Sequence, residues 1–231
     1  MKKIITCFLF VFLTVLAIAQ EATTIPFLGI PIDGKKADFI TALRNKGFEY
    51  DSKNDFFTGK FNGMDSHIYI SENNGKVDRI YVSDANLCDE AQIRIRYNNL
   101  ILQFRKNNNK YFELPENELI PDDEDISYQM LVNDKLYDAS FYFNPTFGWP
   151  EEKLAALGQD LYDEIQAEIE SGEYENPTEE KTGQLLAIKA MRRLLDMAKG
   201  QAWFRISEHY GKYFISLYYD NLDNRSNGED L

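Results

Sequence analysis

Asp65-Ser66-His67 sets the three residue types of a nucleophilic triad side by side. Working triads converge from distant positions, and neighbours on a strand point to opposite faces, so adjacency counts for little. His67 is expected to be an ordinary strand histidine and His209 an exposed turn residue, because nothing near either signals a partner. The chain has no Gly-x-Ser-x-Gly, no Gly-x-Gly-x-x-Gly and no Gly-Lys-Ser/Thr, the signatures of nucleophile elbows and phosphate loops. Paired carboxylates stay open as acid-base groups: the chain carries 38 Asp and Glu, and their separation is a three-dimensional quantity.

Metal chemistry has weak footing. Two histidines without zinc spacing make a His/Cys site poor. Asp122-Asp123-Glu124-Asp125 and the tail acids Asp220, Asp223, Glu229 and Asp230 invite calcium, but an EF-hand register fails. Counted from Asp220, position 3 is Leu222 and position 6 is Arg225; counted from Asp223, position 3 is Arg225. These runs are expected to be solvated, with the last dozen residues on the surface, and no metal or cofactor is assigned; a calcium-stabilised structural module is the lesser option.

The aromatic residues offer binding instead. Trp203, Tyr213 and Tyr218 are the candidate ligand-binding residues, set in a closing hairpin with Phe204, Tyr210, Phe214 and Tyr219. Tyr and Trp on a sheet face can stack on sugars or anchor a protein partner. Strands and cores also favour aromatics, and the neighbours Trp203 and Phe204 must face opposite ways, so at least one is core.

Composition bounds the rest. A net charge of −13 argues against sequence-independent binding of nucleic acid, which needs a basic face. With 16 Phe, 14 Tyr and 2 Trp, the chain is no disordered acidic tail. Charge is segregated: residues 91–112 carry five bases and no acid, 154–180 nine acids and no base. The acidic stretch lies beside basic helices, recruits a cationic partner, or is simply a solvated face.

Lys2-Lys3, the apolar run to Ile18 and Ala17-Ile18-Ala19 predict a signal peptide over residues 1–19. The mature chain is then periplasmic or secreted, with no integral membrane segment. It keeps one cysteine, Cys88, expected to be a small buried apolar residue rather than a nucleophile.

The elements that must position these groups follow from pattern. A helix is predicted over about 36–46, with Ala37, Ile40 and Leu43 inward. Asn62-Gly63 and Asn73-Asn74-Gly75 mark hairpins joining three strands between Phe57 and Ser83. A second helix runs from about Asp89 to Lys106 on the stripe Ile93, Tyr97, Leu100, Phe104. A short strand follows at 111–114, then an acidic loop at 115–125 and strands at 126–133 and 135–143. A third helix starts with Pro150 at its first position, and a fourth spans 179–198. A hairpin over 202–208 and 212–219 closes the chain. Hairpins and separate helices predict an α+β fold, an antiparallel sheet with helices packed on one face. One domain over 20–231 is expected, or two modules over about 25–118 and 119–231. Ile70-Ser71-Glu72 with Gly75-Lys76 recurs as Ile206-Ser207-Glu208 with Gly211-Lys212, an offset of 136 that fits either duplication or shared turn chemistry.

Phe27-Leu28-Gly29-Ile30-Pro31-Ile32-Asp33-Gly34 and the ending Tyr218-Tyr219-Asp220-Asn221 through Leu231 resemble secreted Bacteroidota proteins of unknown function. The resemblance implies export and brings no activity. The element order is more distantly similar to beta-lactamase inhibitor protein modules and outer-membrane lipoproteins of the SmpA type, a fold-level analogy only. Export and missing catalytic motifs together predict a non-catalytic binding or interaction protein, docking a protein or cell-envelope component on its sheet face or acidic helix. The alternative is a small exported hydrolase of glycans or peptides, with a carboxylate or His67 doing the acid-base work.

Overall fold

Three tight turns set three of the seven strand pairings in an eight-stranded antiparallel sheet. Asn62-Gly63, Asn74-Gly75 and Tyr210-Gly211 each place two successive residues at positive φ, the two-residue hairpin geometry that matches strand twist. The computed structural model describes residues 24–174 and 177–225. The expected signal peptide and residues 226–231 lie outside that range. Among the described residues no helix is long and apolar enough to cross a membrane.

The described chain falls into two compact units, Thr24–Asn144 with Leu195 onward, and Pro145–Leu194. The larger unit holds strands β1 (Pro26–Phe27), β2 (Ile30–Pro31), β3 (Glu49–Asp51), β4 (Phe56–Phe61), β5 (Met64–Asn73), β6 (Lys76–Asp84), β7 (Tyr111–Glu113), β8 (Asp138–Phe143), β9 (Gly200–His209) and β10 (Lys212–Asn221). Its helices are α1 (Lys36–Asn45), α2 (Glu90–Lys106) and α3 (Ile126–Val132). β1 and β2 pair by themselves; the others lie in the order β3-β4-β5-β6-β10-β9-β8-β7. This is the predicted α+β architecture. The small strands β1, β2 and β3 are too short to leave a periodic signal.

The sheet is two sets of four strands, β3-β4-β5-β6 preceded by α1 and β7-β8-β9-β10 preceded by α2 and interrupted by α3 and by residues 145–199, joined where β6 pairs β10. The two sets divide at residues 85–89, where α2 opens the second set. The recurring hairpin segments are β5–β6 and β9–β10. β6 differs by a bulge: Ser71 opposes Arg79 while Glu72 opposes Val77, leaving Asp78 as the extra residue.

The core lies between the sheet and α2. Ile93, Tyr97, Leu100, Ile101 and Phe104 of α2 are all buried. Phe104 stacks on Phe141 with centroids 4.4 Å apart, and Tyr97 meets Phe204 edge-on at 5.3 Å. Each such side chain contributes about 1.5–3 kcal/mol by leaving water. A capping box starts α2: Asp89 accepts from the Gln92 amide at 2.9 Å, and the Gln92 side chain answers it. On the same face Phe27 packs between Phe61 and Tyr219, at 5.2 Å from each. α1 buries Phe39 and Leu43 rather than the Ala37-Ile40-Leu43 stripe.

Residues 126–133, expected as a strand, form the helix Ile126–Val132 and its cap Asn133 instead. Asp125 caps α3 by accepting from the Tyr128 amide at 2.8 Å, and Glu90 accepts from the Ile126 amide at 2.9 Å. Those caps outweigh the short alternation of apolar residues. β8 accordingly begins at Asp138 rather than 135.

The tail is also corrected. Asp220 and Asn221 are 1% and 3% exposed. The Asn221 side chain donates to the Ile32 carbonyl at 2.7 Å, and Asn224 donates to Asp33 and to the Val77 carbonyl, both at 2.9 Å. These bonds fasten the β1–β2 segment to the end of the sheet.

The smaller unit is a pair of helices, α4 (Glu151–Glu170) and α5 (Glu179–Met197), entered through Pro150 as N-cap rather than first helical residue. Leu161 and Ile165 are its buried positions on α4. Lys189 of α5 reaches Glu168 at 2.6 Å and Glu164 at 3.4 Å of α4, so the acidic helix does lie beside a basic one.

Candidate functional site

The face of the sheet opposite α2 carries a continuous row of rings. Tyr69 on β5 is paired with Tyr81 on β6, Tyr81 with Tyr218 on β10, and Tyr218 with Trp203 on β9. Phe56 on β4 extends the row by stacking on Tyr69. Successive centroids are 5.5, 5.4, 4.8 and 4.0 Å apart, and the ring planes differ by 27, 20, 17 and 11°. Beyond Trp203, Tyr142 on β8 and Phe112 on β7 stack at 5.5 Å on the same face.

This geometry follows from the pleat. Residues two apart on a strand share a face, and directly opposed residues bring their side chains together. Five consecutive strands place an aromatic residue at the same level, so the rings close like pages over about 20 Å of sheet. Each ring spends its flat side on its neighbour. The Tyr81 hydroxyl is bonded to Ser216 at 3.3 Å, and Tyr69 is the ring left 37% exposed.

A charged pair anchors one side of it. Arg79 donates to both carboxylate oxygens of Asp220, from Nε at 2.6 Å and Nη2 at 2.9 Å. Asp220 also accepts from the Trp203 indole at 3.0 Å. The Asp220 carboxylate beside it raises the Arg79 pKa, and the guanidinium lies 5.3 Å from the Tyr218 ring centroid and 5.9 Å from that of Trp203. Orientation of both rings is thereby fixed.

Of the three expected binding residues, Trp203 and Tyr218 meet in this row. Tyr213 does not join them. It is 4% exposed on the opposite face, and its hydroxyl bonds Ser127 at 2.7 Å. Odd spacing along β10 explains it: Tyr213 and Tyr218 are five residues apart and must point opposite ways. Phe204 is the core partner of Trp203, fully buried. Sequence reasoning misses Phe56, Tyr69 and Tyr81.

The triad-like run disperses. Ser66 is 1% exposed and bonds the Met64 carbonyl, while His67 stands on the other face against Phe56 at 5.1 Å. Among the described residues no group of three or more His, Cys, Asp or Glu is placed to hold a metal. Glu124 of the acidic loop is engaged by Lys135 and Tyr137, which pull its pKa down.

A cleft of about 600 Å³ lies between α2, the β4–β5 turn and the loop after β6. Its acid, Asp84, accepts from Arg96 at 3.1 Å and is 7% exposed. Its thiol, Cys88, is half-buried, and burial raises its pKa. The acid is ion-paired and burial disfavours the thiolate, an environment opposite to that of an activated nucleophile.

No family model, curated protein or solved structure matches this chain.

Proposed function

We propose that this protein is an exported, non-catalytic interaction module of the cell envelope whose docking surface is the aromatic face of the sheet, and whose partner is a protein. The observation that carries the reading is the register-matched stack of Tyr69, Tyr81, Tyr218 and Trp203. Tyr, Trp and Arg are the residues that dominate protein interfaces, and rings already held in place cost little entropy to dock. A sugar-binding platform needs ring faces turned to solvent, whereas here the faces are spent on one another. Export rests on the signal-peptide pattern of residues 1–19.

The test is site-specific photocrosslinking in the native host. Tyr69, 37% exposed, is replaced by a photoreactive phenylalanine analogue. The expected result is one discrete protein adduct, absent when the analogue is placed instead at Tyr210, 92% exposed in the β9–β10 turn. Absence of any adduct, together with saturable binding of envelope glycans by the unmodified protein, would overturn the reading.

A further inference from the structure

We infer that the cleft beside α2 binds an extended, uncharged peptide segment of about five residues, a site separate from the aromatic face.

The cleft has length, neutrality and amide chemistry. α2 lines it from Gln92 through Ile95, Arg96 and Asn99 to Gln103, one side of the helix over three turns. At about 1.5 Å per residue that wall runs roughly 16 Å, the reach of about five extended residues. Its volume, about 600 Å³, lies within the range of ligand sites.

The two opposite charges in its lining cancel. Arg96 spends Nε and Nη2 on Asp84 at 3.4 and 3.1 Å, and Nη1 on the Asn62 side chain at 2.8 Å. Asn62 in turn donates to Gln103 at 2.6 Å. This chain of bonds holds the β4–β5 turn against α2 and fixes the cleft before anything enters it. A charged ligand would find no counter-charge to spare there.

What remains is carboxamide and aliphatic. Asn86, Gln92, Asn99 and Gln103 contribute four carboxamides, besides that of Asn62, which is spent on Arg96 and Gln103. Each has both a donor and an acceptor, the complement of a peptide unit. The Gln103 oxygen accepts from Asn62, so its nitrogen is left to donate. Leu87 and Ile95 flank these groups at 47% and 61% exposure, a seat for apolar side chains. Among the described residues no aromatic ring lines the cleft, so a sugar would have nothing to stack on.

The test is titration of ¹⁵N-labelled protein with terminally blocked pentapeptides, each carrying a different uncharged side chain at its centre. Diacetylchitobiose serves as an amide-bearing sugar. At least one peptide is expected to shift the side-chain amide signals of Asn99 and Gln103 saturably, with those of the aromatic face unmoved. Ile95→Glu and Gln103→Ala, both at exposed helix positions, are expected to weaken that peptide tenfold or more with the thermal melt retained. Silence across the whole peptide set, saturable shifts by the sugar alone, or unchanged affinity in both variants would each overturn the inference. Loss of photocrosslinking at Tyr69 would bear on the aromatic face and leave this site untouched.

Discussion

Arg79 and Asp220 stand directly opposite one another on β6 and β10, and the carboxylate is 1% exposed while the arginine side chain keeps 30%. The pair is therefore unequal. Removing the base strands a buried charge; removing the acid leaves a cation that water can still reach.

Arg79→Met should accordingly destabilise the fold by about 3–5 kcal/mol, and Asp220→Leu by less. The double variant should recover most of the loss, since an apolar pair of similar volume replaces both charges. Denaturant melts of the three variants check this; equal costs for both single variants would contradict the asymmetry.

Trp203 and Tyr218 supply the tightest ring contact, at 4.0 Å and 11°. A double-mutant cycle to leucine should return a coupling of about 0.5–1.5 kcal/mol beyond lost area. Strict additivity would mean that the rings touch without supporting each other.

Glu90 ties α2 to α3 through Ser127 and the Ile126 amide, and those hydrogen bonds lower its pKa. A depressed folded pKa gives stability that is complete above the unfolded value of about 4.3 and lost as pH falls through the folded one. Wild type should thus exceed Glu90→Gln by about 1 kcal/mol at pH 7. The gap should close on acidification, and a gap that widened below pH 4 would refute the assignment.

Cys88 has its thiol held above its ordinary value of 9.0, first by burial and then by Asp84. Alkylation by iodoacetamide should be slow at pH 8 and should rise with a midpoint above 9. A midpoint below the ordinary value would make the thiol reactive and revive a nucleophilic role for the cleft.

Local chemistry is legible in the order of the residues. Asn62-Gly63 and Asn74-Gly75 announce their turns, and the stripe from Ile93 to Phe104 announces α2. Pairings across long sequence separations are not, because β6 meets β10 through strands 130 or more residues apart. The aromatic row is hidden for a sharper reason. Counting back from the Asn74-Gly75 turn at regular register sets Tyr69 against Ile80, and only the bulge sets it against Tyr81. Trp203 and Tyr218 stand out because β9 and β10 pair without interruption.

That single inserted residue, Asp78, also separates the two surfaces of the molecule. Asp84 and Asp220 are the same letter at the same 136-residue interval, yet one floors the cleft on the helix side and the other anchors the rings on the far side. The insertion shifts the phase of β6 by half a pleat, so one written pattern yields two unlike faces. Deleting Asp78 would remove the bulge and keep the faces: Glu72 would still oppose Val77, Ser71 Arg79 and Tyr69 Tyr81. A hairpin pattern written twice thus needs only one extra residue to give its two occurrences different work.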